Sequence, residues 1–366
     1  MWLFIMVLLV YNLLLYYIGW NGWKWVRSLI GDKKRVKMLF WFFLILFAYS
    51  FFFGRWLENN LVITWAGAIW LGLLYLFIFL LPIVNIMVYF SKFIHIPREK
   101  AVKWSGFILL MIIAGLFFWG MHNAYSPVVR NYQVNIPKKV EGKQKLSIVM
   151  ASDMHFGSLA NKRQAEKLVK EINTLHPDLV LFPGDIIDDD IDPYVKNGIP
   201  KILRQIKAPI FASFGNHDRE KPQVNLKKIF EESGMKLLTD EVIVLDKGMT
   251  IVGRKDRGYQ DVVRKTLKDL MKHVNHSNPI ILMDHQPYDL NIARKNGVDL
   301  MVSGHTHRGQ IAPANWITSM IYENDWGYLK KGKMTSIVSS GYGFWGTPLR
   351  IGTRSEIVHI TLTFHQ

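Results

Sequence analysis

The feature that most limits how this chain can fold is a set of long apolar runs confined to its first third. Four runs approach the roughly 20 residues that a helix needs to cross the hydrocarbon core of a bilayer. They cover residues 2–20, 38–53, 61–89 and 104–121. The third run is overlong and contains Pro82, which predicts a kink or an end at the membrane interface. We therefore predict a multi-pass α-helical membrane region over residues 1–124.

The first run differs from a cleavable signal peptide. It has no cationic start, exceeds the usual length of a signal-peptide core and lacks a cleavage site made of small residues. We expect it to remain in the mature protein.

Lysine and arginine are unevenly distributed among the segments that join these runs. The first and third connections carry the basic residues Lys24, Arg27, Lys33, Lys34, Arg35, Lys37, Lys92, Arg98, Lys100 and Lys103. The second connection has Arg55 alone, offset by Glu58. Because basic loops stay in the cytoplasm, everything after Met121 is predicted to lie outside. If the short second run lay in the interface, the number of crossings would change and the domain would face the cytoplasm.

The charge and the absence of cysteine restrict the partners and ligands. The formal charge of +16 divides into 11 Lys/Arg against 3 Asp/Glu over residues 1–124 and 34 against 26 over the rest. Membrane orientation accounts for the first excess, so we expect the lipid bilayer and no nucleic acid as a partner. Without cysteine, a metal has to be held by His, Asp, Glu or Asn.

Beyond residue 125 the pattern changes to short apolar strands that alternate with helical segments. Residues 125–145 are predicted to form a linker and a lead-in strand, and residues 146–366 a globular domain. Residues 162–175 have helical periodicity. Buried strands are predicted at 146–151, 178–182, 209–214, 279–283 and 298–302. This alternation favours a layered α/β domain.

Each predicted strand ends in potential metal ligands, and open α/β sheets place their sites at such ends. The side chains in question are Asp153, His155, Asp185, Asn216, His285, His305 and His307. In Asp153-Met154-His155 and in His305-Thr306-His307, an extended backbone would turn both outer residues to one side. Oxygen and imidazole donors suit Mn, Fe or Zn. A carboxylate such as Asp185 can bridge two ions together with a hydroxide.

Two neighbouring features have less specific interpretations. Asp188, Asp189 and Asp190 are typical of a solvated acidic turn, although one of them could tether a neighbouring loop. Ser152 lacks the G-x-S-x-G surroundings of a serine nucleophile, so it is not expected to attack the substrate.

Five blocks of the sequence resemble the signatures of the calcineurin-like metallophosphoesterase superfamily. They are Ser-Asp-Met-His at 152–155, Gly-Asp-Ile-Ile-Asp at 184–188, Gly-Asn-His-Asp at 215–218, His285, and Gly-His-Thr-His at 304–307. The resemblance extends over about residues 145–364. It is closest to the bacterial membrane-associated, YkuE-like branch, through His-Gln-Pro at 285–287, Gly-Val-Asp-Leu at 297–300 and Gly-Phe-Trp-Gly-Thr-Pro-Leu-Arg at 343–350.

The resemblance implies a four-layer αββα sandwich and a role for each signature residue. It implies a first metal held by Asp153, His155 and His307, a second held by Asn216, His285 and His305, and a bridge formed by Asp185. His217 would protonate the leaving oxygen or stabilise charge on the phosphoryl group, and Asp218 would orient His217. A hydroxide activated by two divalent ions, with Mn expected first and Fe or Zn as alternatives, would attack the phosphorus in line.

The chain departs from the branch at two positions. Arg308 follows the last signature where the branch usually has Gly, and Ser355 stands where it has Pro. Arg308 could bind a substrate phosphate or pair with an acidic surface residue.

We therefore expect a membrane-anchored, metal-dependent phosphoesterase at the bacterial cell membrane, acting on lipid-linked or cell-envelope phosphate esters outside it. One alternative is a cytoplasm-facing pyrophosphohydrolase of nucleotide-linked glycolipids of the UDP-diacylglucosamine type, and another is a non-catalytic membrane scaffold. The substrate could contact an aromatic cleft, although the same residues could equally be core or lipid anchors. They are Trp316, Tyr322, Trp326, Tyr342, Phe344 and Trp345.

Overall fold

The computed structural model describes residues 2–56, 60–219, 225–245, 248–257 and 263–364, and the side chains of these except residues 55 and 56. The side chains of Arg55 and Glu58, on which the orientation prediction partly depends, thus lie outside the described residues. The chain divides into two compact units. One comprises Met1–Met121 with Gly346–Pro348, and the other comprises His122–Trp345 with Leu349–Gln366.

The first unit is built from apolar helices that are long enough to span a bilayer. Helix α1 covers Trp2–Ile30, α2 Lys34–Trp56, α3 Leu61–Phe90 and α4 Arg98–Tyr125, and a 3₁₀ turn, Ser91–Ile94, follows α3. All four have the length and composition of membrane spans. A helix satisfies its backbone hydrogen bonds internally, and hydrocarbon offers no hydrogen-bond partners. Large apolar side chains such as Met111 and Phe118 accordingly remain exposed.

These helices are longer than the apolar runs. Helix α1 continues ten residues past Trp20 and includes Lys24 and Arg27, which the sequence pattern assigned to a loop. The Lys24 ammonium lies 3.0 Å from the centroid of the Trp20 ring. Long cationic side chains can reach the membrane surface from a helix that continues beyond the hydrocarbon, so the polar residues do not end the helix. Helix α3 also runs through Pro82.

Close packing and polar contacts join these helices. A Cβ added to Gly67 on α3 would lie 2.6 Å from the Cα of Phe51 on α2, so the two backbones touch. The indole of Trp70 donates a hydrogen bond to the hydroxyl of Tyr11 (2.9 Å), and that hydroxyl donates to the carbonyl of Ala48 (2.6 Å). Three of the helices are linked by this chain of contacts.

The second unit contains two six-stranded sheets. The first has the order β1-β12-β2-β3-β4-β5 and the second β10-β11-β9-β8-β7-β6. The first-sheet strands are β1 Val128–Ile136, β2 Lys145–Met150, β3 Leu179–Pro183, β4 Ile210–Ser213, β5 Met235–Leu237 and β12 Glu356–Phe364. The second-sheet strands are β6 Glu241–Val244, β7 Thr250–Gly253, β8 Ile280–Met283, β9 Leu300–Ser303, β10 Gly327–Lys331 and β11 Met334–Val338.

Helices cover the outer faces of both sheets. They are α5 Lys162–Thr174, α6 Ile191–Lys196, α7 Ile199–Leu203, α8 Leu226–Glu232, α9 Leu267–Met271 and α10 Leu290–Lys295. A further helix, α11 Ala314–Ile321, follows β9 and has no buried residue. One core cluster packs α5 to α8 on the first sheet, a second lies between the sheets, and a third packs α9 and α10 on the second sheet. Strand β3 is buried along its whole length, as a parallel strand covered on both faces must be. These layers confirm the predicted four-layer αββα domain after an N-terminal helical membrane region.

Strand pairing brings the two ends of the second unit together. Strand β1 pairs in parallel with the C-terminal strand β12, from Val128 opposite Glu356 to Ile136 opposite Phe364. Within each sheet the parallel strands point the same way: β2, β3 and β4 are neighbours in the first sheet, and β8 and β9 in the second. The carboxyl ends of these five strands carry the side chains that the sequence singled out.

Candidate metal centre

Five of the seven predicted ligands have a left-handed backbone conformation shortly after the strands. The backbone angle φ is +52° at Asp153, +45° at His155, +53° at Asp185, +69° at His305 and +47° at His307. The prediction that an extended backbone aligns the outer residues of each triplet is therefore wrong. A left-handed residue costs about 1–2 kcal/mol for any side chain with a Cβ, and such strain concentrates at functional sites. Both triplets therefore carry their outer residues on left-handed turns and not on continuing strands.

Two glycines allow the carboxylates to approach the neighbouring backbone. A Cβ on Gly304 would lie 2.0 Å from Asp153 Oδ2, and a Cβ on Gly215 would lie 2.2 Å from Asp185 Oδ1. No larger residue fits at either position without moving an acid. This explains why the sequence places glycine directly beside the ligand residues.

One cluster joins the first and second sheets through three buried side chains. Asp153, His155 and His307 bring one potential ligand atom each to within 4.8 Å of the others. The Nε2 atoms of His155 and His307 are 3.1 Å apart, and Asp153 Oδ1 lies 3.5 Å from His307 Nε2. Two imidazoles and a carboxylate that converge in this way have the donor chemistry of a divalent-cation site.

A second cluster lies beside the first. Asp185, His285 and His305 also bring ligand atoms within 4.8 Å of one another. The Oδ1 atom of Asn216 lies 2.8 Å from His305 Nδ1 and 3.2 Å from His285 Nε2. The structure thus collects an amide oxygen, a carboxylate and two imidazoles at one point.

Asp185 lies between the two clusters. Its Oδ2 atom is 3.1 Å from His285 Nε2 in the second cluster and 3.7 Å from His155 Nε2 in the first. Its Oδ1 atom accepts a hydrogen bond from the backbone N–H of His217 (2.8 Å). One carboxylate oxygen is therefore within reach of both groups of ligands, while the other fixes the loop that carries Asn216 and His217.

Burial and the pairing of opposite charges set the ionisation of these groups. Burial opposes the charge on Asp185, but His285 and His155 hold the pKa of this carboxyl well below its usual range. Burial and the neighbouring His285 lower the pKa of His305 to about 4. The pKa of His307 is also lowered, by burial and by the neighbouring His155 and Arg350. Asp185 is then ionised and these two imidazoles neutral near pH 7, the forms in which they bind metals.

Polar contacts on the far sides of two imidazoles favour their orientation. His285 Nδ1 lies 2.9 Å from the carbonyl of Pro183, so it donates there and Nε2 faces the cluster. His155 Nδ1 lies 3.4 Å from Asp188 Oδ1. Asp188 therefore takes part in the site and is more than a residue of a solvated turn.

A buried arginine holds the third imidazole. The guanidinium of Arg350 is fully buried, and its Nη2 donates to the carbonyl of Gly343 (2.7 Å) and lies 3.1 Å from His307 Nδ1. Burial lowers the pKa of Arg350 to about 10, against the opposite effect of Glu356 and Asp153. The sequence analysis quoted Arg350 only as part of a motif, because its 43-residue separation from His307 gives no local signal.

His217 lies at the open side of the two clusters. Its ring centroid is 5.0 Å from that of His155 and 5.9 Å from that of Trp345. Its Nδ1 atom lies 3.1 Å from Asp189 Oδ1, and its side chain is 14% exposed. Asp189, which the sequence suggested was part of a solvated turn, is the carboxylate that contacts this imidazole.

The structure corrects the predicted role of Asp218 as the residue that orients His217. Asp218 Oδ1 accepts from the backbone N–H groups of Ile186 (2.8 Å) and Ile187 (3.0 Å), and Oδ2 accepts from that of Gly215 (2.8 Å). Burial, reinforced by Asp185, raises the pKa of Asp218 to about 7 against the effect of these backbone donors. Asp218 joins the loops after β3 and β4, and its neighbouring position in sequence does not bring it to the His217 ring.

Arg308 contacts an aromatic ring. Its guanidinium lies 3.9 Å from the centroid of the Trp326 ring, and within the described part of the chain it forms no ion pair. The predicted acidic partner is therefore not found there, and contact with substrate stays a prediction. At the other departure from the family pattern, the Ser355 hydroxyl donates to the carbonyl of Ala124 (2.8 Å).

The aromatic residues that the sequence grouped together have different surroundings. Tyr342 and Phe344 are core residues, and Ser152 beside the site is fully buried. Trp316 and Trp345 are exposed. The ring of Tyr322 lies 6.1 Å from that of His305. These residues therefore do not form one continuous cleft.

Comparison with known proteins supports a single family. The family model described as calcineurin-like phosphoesterase matches residues 146–309. A metallophosphoesterase of Helicobacter pylori is 26% identical over 98% of this chain and 98% of its own length. One of Campylobacter jejuni is 31% identical over 69% of this chain and 68% of its own length. A zebrafish protein described as a transmembrane protein with metallophosphoesterase domain is 29% identical over 80% of this chain and 72% of its own length.

Proposed function

Because this chain belongs to the calcineurin-like metallophosphoesterase family, we propose that its two clusters bind two divalent cations and hydrolyse phosphate esters of lipid-linked or cell-envelope molecules. The chain is a phosphoester hydrolase with helices suited to a membrane. The observation that carries the proposal is the position of Asp185 Oδ2, 3.1 Å from His285 Nε2 and 3.7 Å from His155 Nε2. A carboxylate in this position can serve both ions of a pair.

In this proposal the ligands divide as the two clusters do. Asp153, His155 and His307 hold the first ion, and Asp185 is shared between the two. The second ion is held by Asn216, His285 and His305. Mixed oxygen and imidazole donors favour Mn, with Fe and Zn as alternatives.

The bound cations would supply Lewis-acid stabilisation of the phosphate and a lowered pKa for a coordinated water. Ser152 is fully buried, which supports a solvent oxygen and not this hydroxyl as the nucleophile. His217 Nδ1 is held by Asp189 at 3.1 Å, which leaves Nε2 to donate a proton to the departing oxygen of the ester. Asp189 also stabilises the protonated ring before that transfer.

The membrane helices support a substrate at the bilayer. The basic residues at the ends of α1 and α4 favour a domain outside a bacterial cell membrane. A reporter that is active only outside the membrane, fused after Gln366, should therefore be active. A reporter active only in the cytoplasm would contradict this orientation and favour a cytoplasm-facing pyrophosphohydrolase.

Comparing lipid extracts of cells that carry the wild type or Asp185→Asn tests the function. Asn keeps the shape of the side chain but not its charge, so we expect one phosphorylated lipid or envelope precursor to accumulate. Asp190→Asn, which changes the same charge on the same side of the first sheet, is the matched control. The purified full-length protein should hydrolyse a generic phosphodiester with added Mn. Activity that is absent with every divalent metal, with no lipid change, would favour a non-catalytic scaffold.

A further inference from the structure

Helix α11 exposes an apolar face that the rest of its domain does not use. The face consists of Trp316 (69% exposed), Ile317 (54%), Met320 (78%) and Ile321 (56%). None of the eight residues of this helix, all of which the structure describes, is buried. Four adjacent large apolar side chains in water are unusual, and such a patch marks an interaction surface.

The polarity of α11 is inverted relative to a helix on a soluble domain. At about 100° per residue, the four apolar side chains occupy one arc of roughly 140°. Thr318 lies on the opposite side, where its hydroxyl donates to Asp325 Oδ2 (2.8 Å). Thr318 therefore faces the domain and the apolar side faces outward, as in helices that lie in a membrane interface.

The helix is joined to the metal-binding loop. The hydroxyl of Thr306, between His305 and His307, donates to the backbone carbonyl of Asp325 (2.7 Å). Asp325 thus binds the helix through its side chain and the metal loop through its backbone. Whatever α11 binds is held at a fixed distance from the candidate metal centre.

We propose that this apolar face inserts into the lipid surface of a bilayer, so that the metal centre takes a phosphoester whose apolar part stays in that bilayer. This inference rests on the proposed function and narrows its substrate class. The same chain carries four helices suited to a membrane, and only Ser126 and Pro127 separate α4 from β1. A helix suited to a bilayer is therefore joined to this domain by two residues. Trp316 adds an indole, the side chain that best suits the headgroup region.

Fluorescent labelling tests the contact directly, since the chain has no cysteine of its own. An environment-sensitive label on Met320→Cys, in full-length protein reconstituted in phosphatidylethanolamine and phosphatidylglycerol vesicles, should be quenched by nitroxide lipids and protected from iodide. Ser319→Cys, exposed on the polar side of the same helix, is the matched control and should show the reverse. Equal quenching of both labels by iodide would overturn the proposal. Protection of the Met320→Cys label from both quenchers would also overturn it. In that case, self-quenching of the label that unlabelled protein relieves would identify a second copy of the chain as the partner.

An activity comparison separates this inference from the proposed function. In Trp316→Ser/Met320→Ser we expect about a tenfold lower rate on a phospholipid-like ester in vesicles, with an unchanged rate on a soluble phosphodiester. Equal rates of variant and wild type on the vesicle ester would overturn the inference and leave the proposed function intact. Failure of the wild type on both esters would instead refute the proposed function, and the labelling result would still decide the lipid contact.

Discussion

Asp189→Asn tests whether the contact seen in the structure activates His217. Asp189 Oδ1 lies 3.1 Å from His217 Nδ1, with side-chain exposures of 29% and 14%. A hydrogen bond to a charged group contributes about 1.5–3 kcal/mol, and partial exposure places this one near the lower limit. Asn keeps an acceptor but loses the charge that stabilises the protonated ring. A loss of about 1.4 kcal/mol in the transition state corresponds to about a tenfold lower kcat.

The folded protein should be almost unaffected by the same change. Asp189 also lies 3.4 Å from Arg219 Nε, but Arg219 is 63% exposed and such pairs contribute little to stability. We therefore expect the midpoint of thermal unfolding and the bound metal to stay at wild-type values while kcat falls on a soluble diester. The matched control is Asp190→Asn, whose side chain caps α6 through Asp192 N (3.2 Å), a role that Asn performs equally well. A kcat within twofold of wild type, or an equal loss in the control, would refute the reasoning.

Three further perturbations address the framework of the site. Asp218→Ala leaves three backbone N–H groups without their acceptor, so the midpoint of thermal unfolding should fall by about 5 °C or more. An unchanged midpoint with a lower kcat would instead indicate a direct role of Asp218 in catalysis. Gly304→Ala should reduce the metal content measured by elemental analysis, since its Cβ would lie 2.0 Å from Asp153 Oδ2. The control Gly115→Ala, whose added Cβ would have no neighbouring atom within 4 Å, should leave the metal content unchanged. Chelation should lower the thermal midpoint and added Mn should restore it, because a ligand at 100 times its Kd stabilises by about 2.7 kcal/mol; a midpoint that does not respond to either would argue against cations in the clusters.

Patterns that repeat locally were visible in the sequence. The apolar runs predicted the membrane region because a helix of this length satisfies its own backbone hydrogen bonds in hydrocarbon. The strand-end residues Asp153, Asp185 and His285 could be grouped because parallel strands end at the same edge. The helix ends could not be placed as well, since Lys24 and Arg27 interrupt the apolar pattern without ending the helix.

Contacts between distant segments, and the direction of a side chain on a turn, were not visible. Asp218 follows His217 in sequence, yet its carboxylate turns to the backbone at Ile186, while Asp189 approaches the imidazole from the loop after β3. No periodicity encodes that choice, because both loops are irregular and their conformations depend on each other.

The sequence by itself determined the apolar helices, the alternation of strands and helices, and the residues that the strand ends carry. Only the tertiary structure decided that Asp185 Oδ2 lies between His155 and His285, that Arg350 supports His307, and that α11 faces outward with its apolar side. Composition and periodicity act within one segment, whereas these three features depend on how two sheets and their loops meet.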